Sequence, residues 1–472
     1  MNVPVPNPQA AGTDPIVLLA DHVHNVTFDD LPPEAVDTTK RFILDVIATT
    51  IAGSRAPMVR EVLDLLAYWG GTPEATTAIF GTRLPMHHAV VANIMICHAL
   101  ELDEFHDEAC THALTPAFWS ALAAAEASGG CDGKTFLAAV AVAADLKHRL
   151  GLATDQMYYL GFHKARLATL TAAAAVCKVQ GRTREQILNA LGIAYCQSSG
   201  TTQTVPDGAL MKRLTPALNA SDGVRSVEMA MSGVRGEMNV VGGPGGLFEV
   251  FNGGERHPEL IERGLGRTFL GGQASVKRNP SCRCANGPIE ALTRLREKQP
   301  FAISDIRKVQ VLVSEGCKRI SGDPFVGKSG APIVDAQFSI DFNIAVALLY
   351  GDVFIEHFEP SVLQDSRVLE LAAKVEVLVD PELRGVLRFE PATVEIELNS
   401  GVILRHRLEH MYGTPNNPMS WEDFIAERLE RCIRYSGIAY SDAQKTALID
   451  AVRNLENMKN VTDLLGLIGK HR

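Results

Sequence analysis

FWSALAAAEASGG at residues 118–130 is apolar nearly all round, and so are TFLAAVAVAADLKHRL (135–150), LATLTAAAAVCKVQG (167–181) and REQILNALGIAYCQSSG (184–200). Small side chains let helices approach closely, and a helix without a polar face is a buried one. These four stretches therefore predict a tightly packed helical interior. Upstream, DTTKRFILDVIATTIAG (37–53) and MVREVLDLLAYWGG (58–71) repeat apolar residues at three- and four-residue spacing and end in Gly, as amphipathic helices do.

Downstream the composition changes. GGPGGLFEVFNGG (242–254) and GGQASVKRNPSCRCANGP (271–288) carry little periodicity and read as loops. Alternating β-branched runs follow at 306–315, 374–380 and 393–410, with helical patterns between them at 286–298 and 335–350. Beyond MYGTPNNPMS (411–420) the helical pattern returns. The fold class expected is mainly α: a large all-helical domain built from 1–272 together with 406–472, and a smaller α+β lid domain over 273–405.

At 472 residues the chain is long for a single core. A charged fraction of 21% and a hydrophobic fraction of 46% are those of a globular protein. A formal charge of −10 argues against nucleic acid as a partner. An anionic substrate would then need a local cationic pocket. The nine cysteines show no repeated CxxC spacing, which suggests reduced thiols. MNVPVPNPQAAGTDP lacks the charged and apolar regions of a signal peptide, and no stretch reaches the roughly 18 apolar residues of a membrane span. The expectation is a soluble, cytoplasmic protein with no membrane partner.

Chemistry concentrates in HALELDEFHDEACTH (98–112), which packs His98, Glu101, Asp103, Glu104, His106, Asp107, Glu108 and His112 ahead of the uncharged run ALTPAFWSALAAA. Imidazoles and carboxylates move protons near neutral pH or hold metals. Asp103 and His106 are three apart, so on a helix they would share a face. Three readings stand side by side: an acid/base site, a solvated polar loop, and a metal site using His98, Asp103, His106 and His112. The spacing matches no HExxH signature.

Three further stretches bear on function. In DQMYYLGFHKARLATL (155–170), His163 stands at the expected start of a helix, where an imidazole pKa falls and an anion can bind; a purely structural histidine is the alternative. In VPDGALMKRLTPALNASDGV (205–224), Lys212 and Arg213 follow a Gly loop and suit carboxylate or phosphate binding, or a solvated helix start. VKRNPSCRCANGP (276–288) sets Lys277, Arg278 and Arg283 beside Cys282 and Cys284 at the domain junction. Neighbouring cations could activate Cys282 as a nucleophile. No GxGxxG, P-loop or GxSxG motif is present.

The order of these features resembles the MmgE/PrpD family, which includes 2-methylcitrate dehydratase, cis-aconitate decarboxylase and iminodisuccinate epimerase. The resemblance runs from LADHVHNVTFDDLPPEAVDTTKRFILDVIATTIAG (19–53) to NNPMSWEDF (416–424). It is anchored by ANIMICHALELDEFHDEACTH, GFHKARLATLTAAAAVCKVQG, LMKRLTPALNASDGV, SVKRNPSCRCANGPIEAL and AQFSIDFNIAVALLYGD. It implies a helical domain with a lid, a homodimer, no cofactor and no metal, and small di- or tricarboxylate substrates. Carried over by position, Asp103, His112, His163, Lys212 and Lys277 fall where family members line the active site. Several positions depart from the family pattern. His106 or Asp107 replaces a Thr of the decarboxylases, Thr215 and Asn286 replace histidines, and Phe342 replaces a Tyr.

Residues and resemblance converge on proton transfer at carbon next to a carboxylate. The assignment is Asp103, His106, His112 and His163 as catalytic residues, with Asp103 fixing an imidazole tautomer and His106 as a second proton-transfer group or specificity contact. Lys212, Lys277, Arg278 and Arg283 are the expected substrate clamps. A hydro-lyase ranks first, an epimerase second, and a decarboxylase third because Phe342 lacks the Tyr hydroxyl. From another class, a non-catalytic binding protein could keep the same fold.

Overall fold

The computed structural model describes residues 13–327 and 332–469. It is mainly α, with a smaller α+β part. The Ala-rich stretches form helices Leu114–Ala127, Gly133–Ala153, Ala168–Val179 and Arg184–Gln197, of which the second and fourth carry side-chain caps. Asp132 caps the second by accepting from Thr135 N at 3.0 Å, and Thr183 with Gln186 closes a capping box on the fourth. These helices pack with Pro33–Gly53, Met86–His98 and Met211–Met231. The resulting core includes Trp119, Phe118 and Phe136 at 0% exposure.

A second core lies under a four-stranded sheet in the order β4-β3-β5-β6. Its strands are β3 (Ile306–Val313), β4 (Val375–Val379), β5 (Ala392–Leu398) and β6 (Ile403–Leu408), numbered after a short β1–β2 hairpin (Ala75–Thr76 and Arg83–Leu84). β3 runs parallel to β4, in register Val309↔Val375, and antiparallel to β5. Alternation sends Val309, Val311 and Val313 inward, where helices Arg283–Lys298 and Ile340–Tyr350 cover them. β6 runs across position 405, and Leu408 and Met411 belong to the sheet's core; helix resumes at Trp421, directly after the 411–420 stretch. The expected helix over 335–350 is two, Pro332–Gln337 and Ile340–Tyr350.

The C-terminal helices return to the first core, where Cys432, Leu448 and Val452 are buried. Arg428 secures that return. Its Nε lies 2.7 Å from the buried Asp45, and its Nη2 donates to the carbonyl of Lys277. One guanidinium thus ties helix Pro33–Gly53, the C-terminal segment and the chain entering the second core. Among the described residues no helix is long and apolar enough to cross a membrane.

Candidate active site

Residues 99–113 form no helix. The Met86–His98 helix ends at His98, Glu101 and Cys110 take left-handed conformations (φ 55° and 53°), and His106 and Thr111 pair across a tight turn. Non-glycine residues held there store strain that surrounding packing must support. Part of that support is Gly151: a Cβ on it would lie 2.8 Å from Thr111 Cγ2 and 2.9 Å from the Ala109 carbonyl. Lys164 adds more, donating from a buried ammonium to Ala109 O (3.0 Å) and Gly151 O (2.6 Å). Lys147 donates to His112 O at 2.6 Å, fixing that backbone.

Asp103 is fully buried between two imidazoles. His98 Nδ1 lies 2.9 and 3.0 Å from its oxygens, and His112 Nδ1 lies 3.1 Å from Oδ2 with poorer alignment. Burial would raise the carboxyl's pKa, but His112 and His98 outweigh it and hold Asp103 well below the usual range. Its neighbour Glu104 goes the other way. Burial, then the Asp103 charge, pushes it well up, while it accepts from Leu114 N at 2.6 Å.

The second layer is cationic. Lys212 Nζ stands 3.1 Å from His98 Nε2 and donates to Glu101. An ammonium has donors only, so His98 Nε2 accepts and its proton sits on Nδ1, facing Asp103. Lys277 Nζ is 3.8 Å from the other Glu101 oxygen. Burial opposes ionisation of Glu101, yet Lys212, His98 and Lys277 hold its pKa far below normal. Lys277 itself is lowered by burial, with Glu101 opposing.

These groups face a cavity of ≈ 80 Å³ between the two cores. The first core contributes Glu101, His112, His163 and Lys212, and the second contributes Lys277, Cys282 and Arg283. His163 caps the turn Lys164–Leu167, which continues into helix Ala168–Val179. Its Nδ1 accepts from Ala165 N at 3.0 Å, so the neutral ring carries its proton on Nε2. Burial and then Lys212 lower its pKa to about 3. His112 falls to about 4 by burial, against the pull of Asp103. Both rings are neutral at pH 7 with opposite roles: His112 keeps its proton on Nδ1 and a free lone pair, whereas His163 is a donor. Cys282 is brought to about 7, chiefly by a hydrogen bond from Cys284, with burial opposing.

The structure brings together Asp103, His112, His163, Lys212, Lys277 and Arg283, and places two other expected residues elsewhere. His106 is not among the residues lining the cavity. It stacks on His148 (centroids 4.6 Å apart), accepts from Ala109 N at 3.2 Å and is 1% exposed. It shares no helical face with Asp103, because the segment is not helical. Arg278 turns to the surface and pairs with Glu427 at 3.7 Å, while Lys277 beside it points inward. Arg283 lines the cavity, but its guanidinium forks onto Asp107 at 2.7 and 2.8 Å. Phe342, offered as a lost hydroxyl near the substrate, is 0% exposed in the second core against Phe325 and Phe358; Phe338 lines the cavity instead. Glu101 and His98 lie in the acidic stretch quoted above, but only the fold shows that one links the two lysines and the other relays Lys212 to Asp103.

His98, Asp103 and His112 present ligand atoms within 4.8 Å of one another, a spacing a metal could use. Two ammonium groups already stand against the same cluster. A cation there would meet their repulsion.

A mainly helical protein whose second, sheet-bearing core closes over a His–Asp–Lys cavity is the class that these observations define. The chain belongs to the MmgE/PrpD family: it matches the MmgE/PrpD N-terminal domain over residues 17–259 and the C-terminal domain over 280–455. It is 25% identical to the cis-aconitate decarboxylase-like protein oryM of Aspergillus oryzae, across 95% of this chain and 96% of that one. Identity to the cis-aconitate decarboxylase of Aspergillus terreus is also 25%, across 94% of each. The 2-methylcitrate dehydratase of Escherichia coli K12 is 28% identical, over 47% of this chain and 46% of that one.

Proposed function

We propose that this protein is a lyase that eliminates water from a small hydroxy-di- or tricarboxylate by proton transfer at the carbon next to a carboxylate. The observation that carries the reading is the pairing of two neutral imidazoles with opposite tautomers at one cationic cavity. A proton next to a carboxylate is weakly acidic, so the negative charge that develops must be stabilised in place. Lys212 and Lys277 hold the carboxylate and absorb that charge. His112 takes the proton through the ring nitrogen not facing Asp103, and the resulting imidazolium is stabilised by Asp103. His163 Nε2–H holds the hydroxyl that leaves. The proton gained by His112 passes to that hydroxyl, water departs and a carbon–carbon double bond remains.

Decarboxylation is the second reading, supported by the full-length likeness to decarboxylases; with Phe342 buried away from the cavity, its missing hydroxyl does not count against that reading. The test is incubation with 2-methylcitrate, citrate and cis-aconitate, following conjugated-alkene absorbance and CO2 release. Alkene formation without CO2 is the expected result, and CO2 release would favour the second reading. Absence of turnover and of any ligand-induced rise in melting temperature, with these three and with 3-alkylmalates alike, would overturn the lyase reading.

A further inference from the structure

The cavity's charges are largely matched before any substrate arrives. Its cations are Lys164, Lys212, Lys277 and Arg283. Against them stand Glu101 between two lysines, Asp107 under the arginine fork, and Asp103 behind His112. With the histidines neutral, one positive charge is left uncompensated. Lys164 is further committed to two backbone carbonyls. One carboxylate is fully compensated and a second is tolerated through hydrogen bonds. A third would be a buried charge without a partner, which is costly.

Apart from Cys110, Tyr158 and Cys282, the rest of the lining is apolar. Phe105, Val205, Ile320, Phe338, Leu387 and Phe389 face the same space. The lid side of this wall is built rather than incidental. Ser314 Oγ donates to Arg388 O at 2.6 Å and accepts from Arg388 N at 3.1 Å, and Gly316 N donates to Val386 O at 3.0 Å. A Cβ on Gly316 would come within 2.7 Å of Leu387, so the 386–389 segment sits directly on the helix Glu315–Ser321 that carries Ile320. Phe389 packs edge-on against Phe105 at 5.3 Å, and Phe105 against His112 at 5.0 Å. The apolar surface therefore begins at the base itself.

We propose that the substrate is a dicarboxylate bearing an apolar arm, with its charged end on Lys212 and Lys277 and its arm against Phe105, Ile320, Leu387 and Phe389. This rests on the lyase reading and narrows it, because a compact tricarboxylate would leave the apolar wall bare and one of its own charges unpaired. Ile320 and Leu387, from the lid, set the length of arm accepted.

The test is calorimetric titration of the full-length protein with succinate, methylsuccinate, butylsuccinate, octylsuccinate and the tricarboxylate tricarballylate. Affinity should rise from succinate to butylsuccinate, by up to about fourfold for each methylene fully buried, with tricarballylate weaker than butylsuccinate. Ile320→Trp should shrink the butyl-to-methyl affinity ratio, as should Leu387→Trp if the first variant does not fold. Flat or falling affinity with arm length, or tricarballylate as the tightest ligand, would overturn the assignment, and so would no binding at all. The lyase reading is checked separately with 3-alkylmalates. Ordered binding of alkylsuccinates without water loss from any 3-alkylmalate would remove the lyase reading and leave the ligand class standing.

Discussion

Asp103→Asn removes one charge while keeping the side chain's shape, and the structure fixes what must follow. Lys212 donates to His98 Nε2, so His98 keeps its proton on Nδ1 and claims the one remaining acceptor oxygen of the new amide. The amide NH2 then faces His112 Nδ1, 3.1 Å away in the wild type. His112 has to accept there and carry its proton on the nitrogen that should be the base. A positioned general base contributes about 10²- to 10⁴-fold, so kcat should fall by that range, corresponding to about 3 to 5 kcal/mol of barrier. KM should change little, because Lys212, Lys277 and Glu101 stay in place. Steady-state turnover of whichever polycarboxylate proves active gives both constants, and circular dichroism confirms folding. A kcat within a few-fold of wild type, in folded protein, would refute the dyad.

Other outcomes follow from the same geometry. His106→Ala should lower stability by about 1–3 kcal/mol through the lost buried contacts yet leave kcat near wild type, whereas His112→Ala should abolish turnover with a smaller change in melting temperature. Arg278→Ala should leave kcat/KM unchanged, since the pair with Glu427 is a half-exposed surface contact worth at most about 1 kcal/mol. Burial lowers the folded pKa of His106 and His112 to about 4 from 6.5. The unfolded chain therefore binds more protons between pH 6.5 and 4 than the native one does. Stability should fall as pH drops through that window, by up to about 1.4 kcal/mol per pH unit for each group, and kcat/KM should fall only near pH 4 as His112 protonates; melting curves and rates at stepped pH check both. Exhaustive chelation should leave activity intact, because Lys212 and Lys277 already supply positive charge beside His98 and Glu101.

The helical core was legible because its signal is local: Ala-rich stretches without a polar face have nowhere to go but inside, and Asp132 and Thr183 mark where two of them begin. The sheet was legible for the same reason, since β-branched residues alternate along β3 and β5. The site was legible in its residue types and partly in their placement. Lys212, Lys277 and His163 stand where their flanking loops and helix start placed them. The placement of His106 was not legible, because it rests on backbone torsions. Left-handed Glu101 and Cys110 turn the chain so that His112, nine residues from Asp103, meets it, while His106, three residues away, turns toward His148. Glu101 was hidden for a related reason: its partners come from helix Met211–Met231 and from the entry to the second core, far away in sequence.

In the proposed reaction His112, backed by Asp103, moves a proton at the carbon next to a substrate carboxylate. Proton NMR in D2O measures this directly, by loss of that C–H signal from 2-methylcitrate or a 3-alkylmalate incubated with the protein. Wild type should exchange or eliminate the proton, and His112→Ala should do neither. Exchange that persists in folded His112→Ala, or a wild type that leaves every such C–H untouched, would contradict the account.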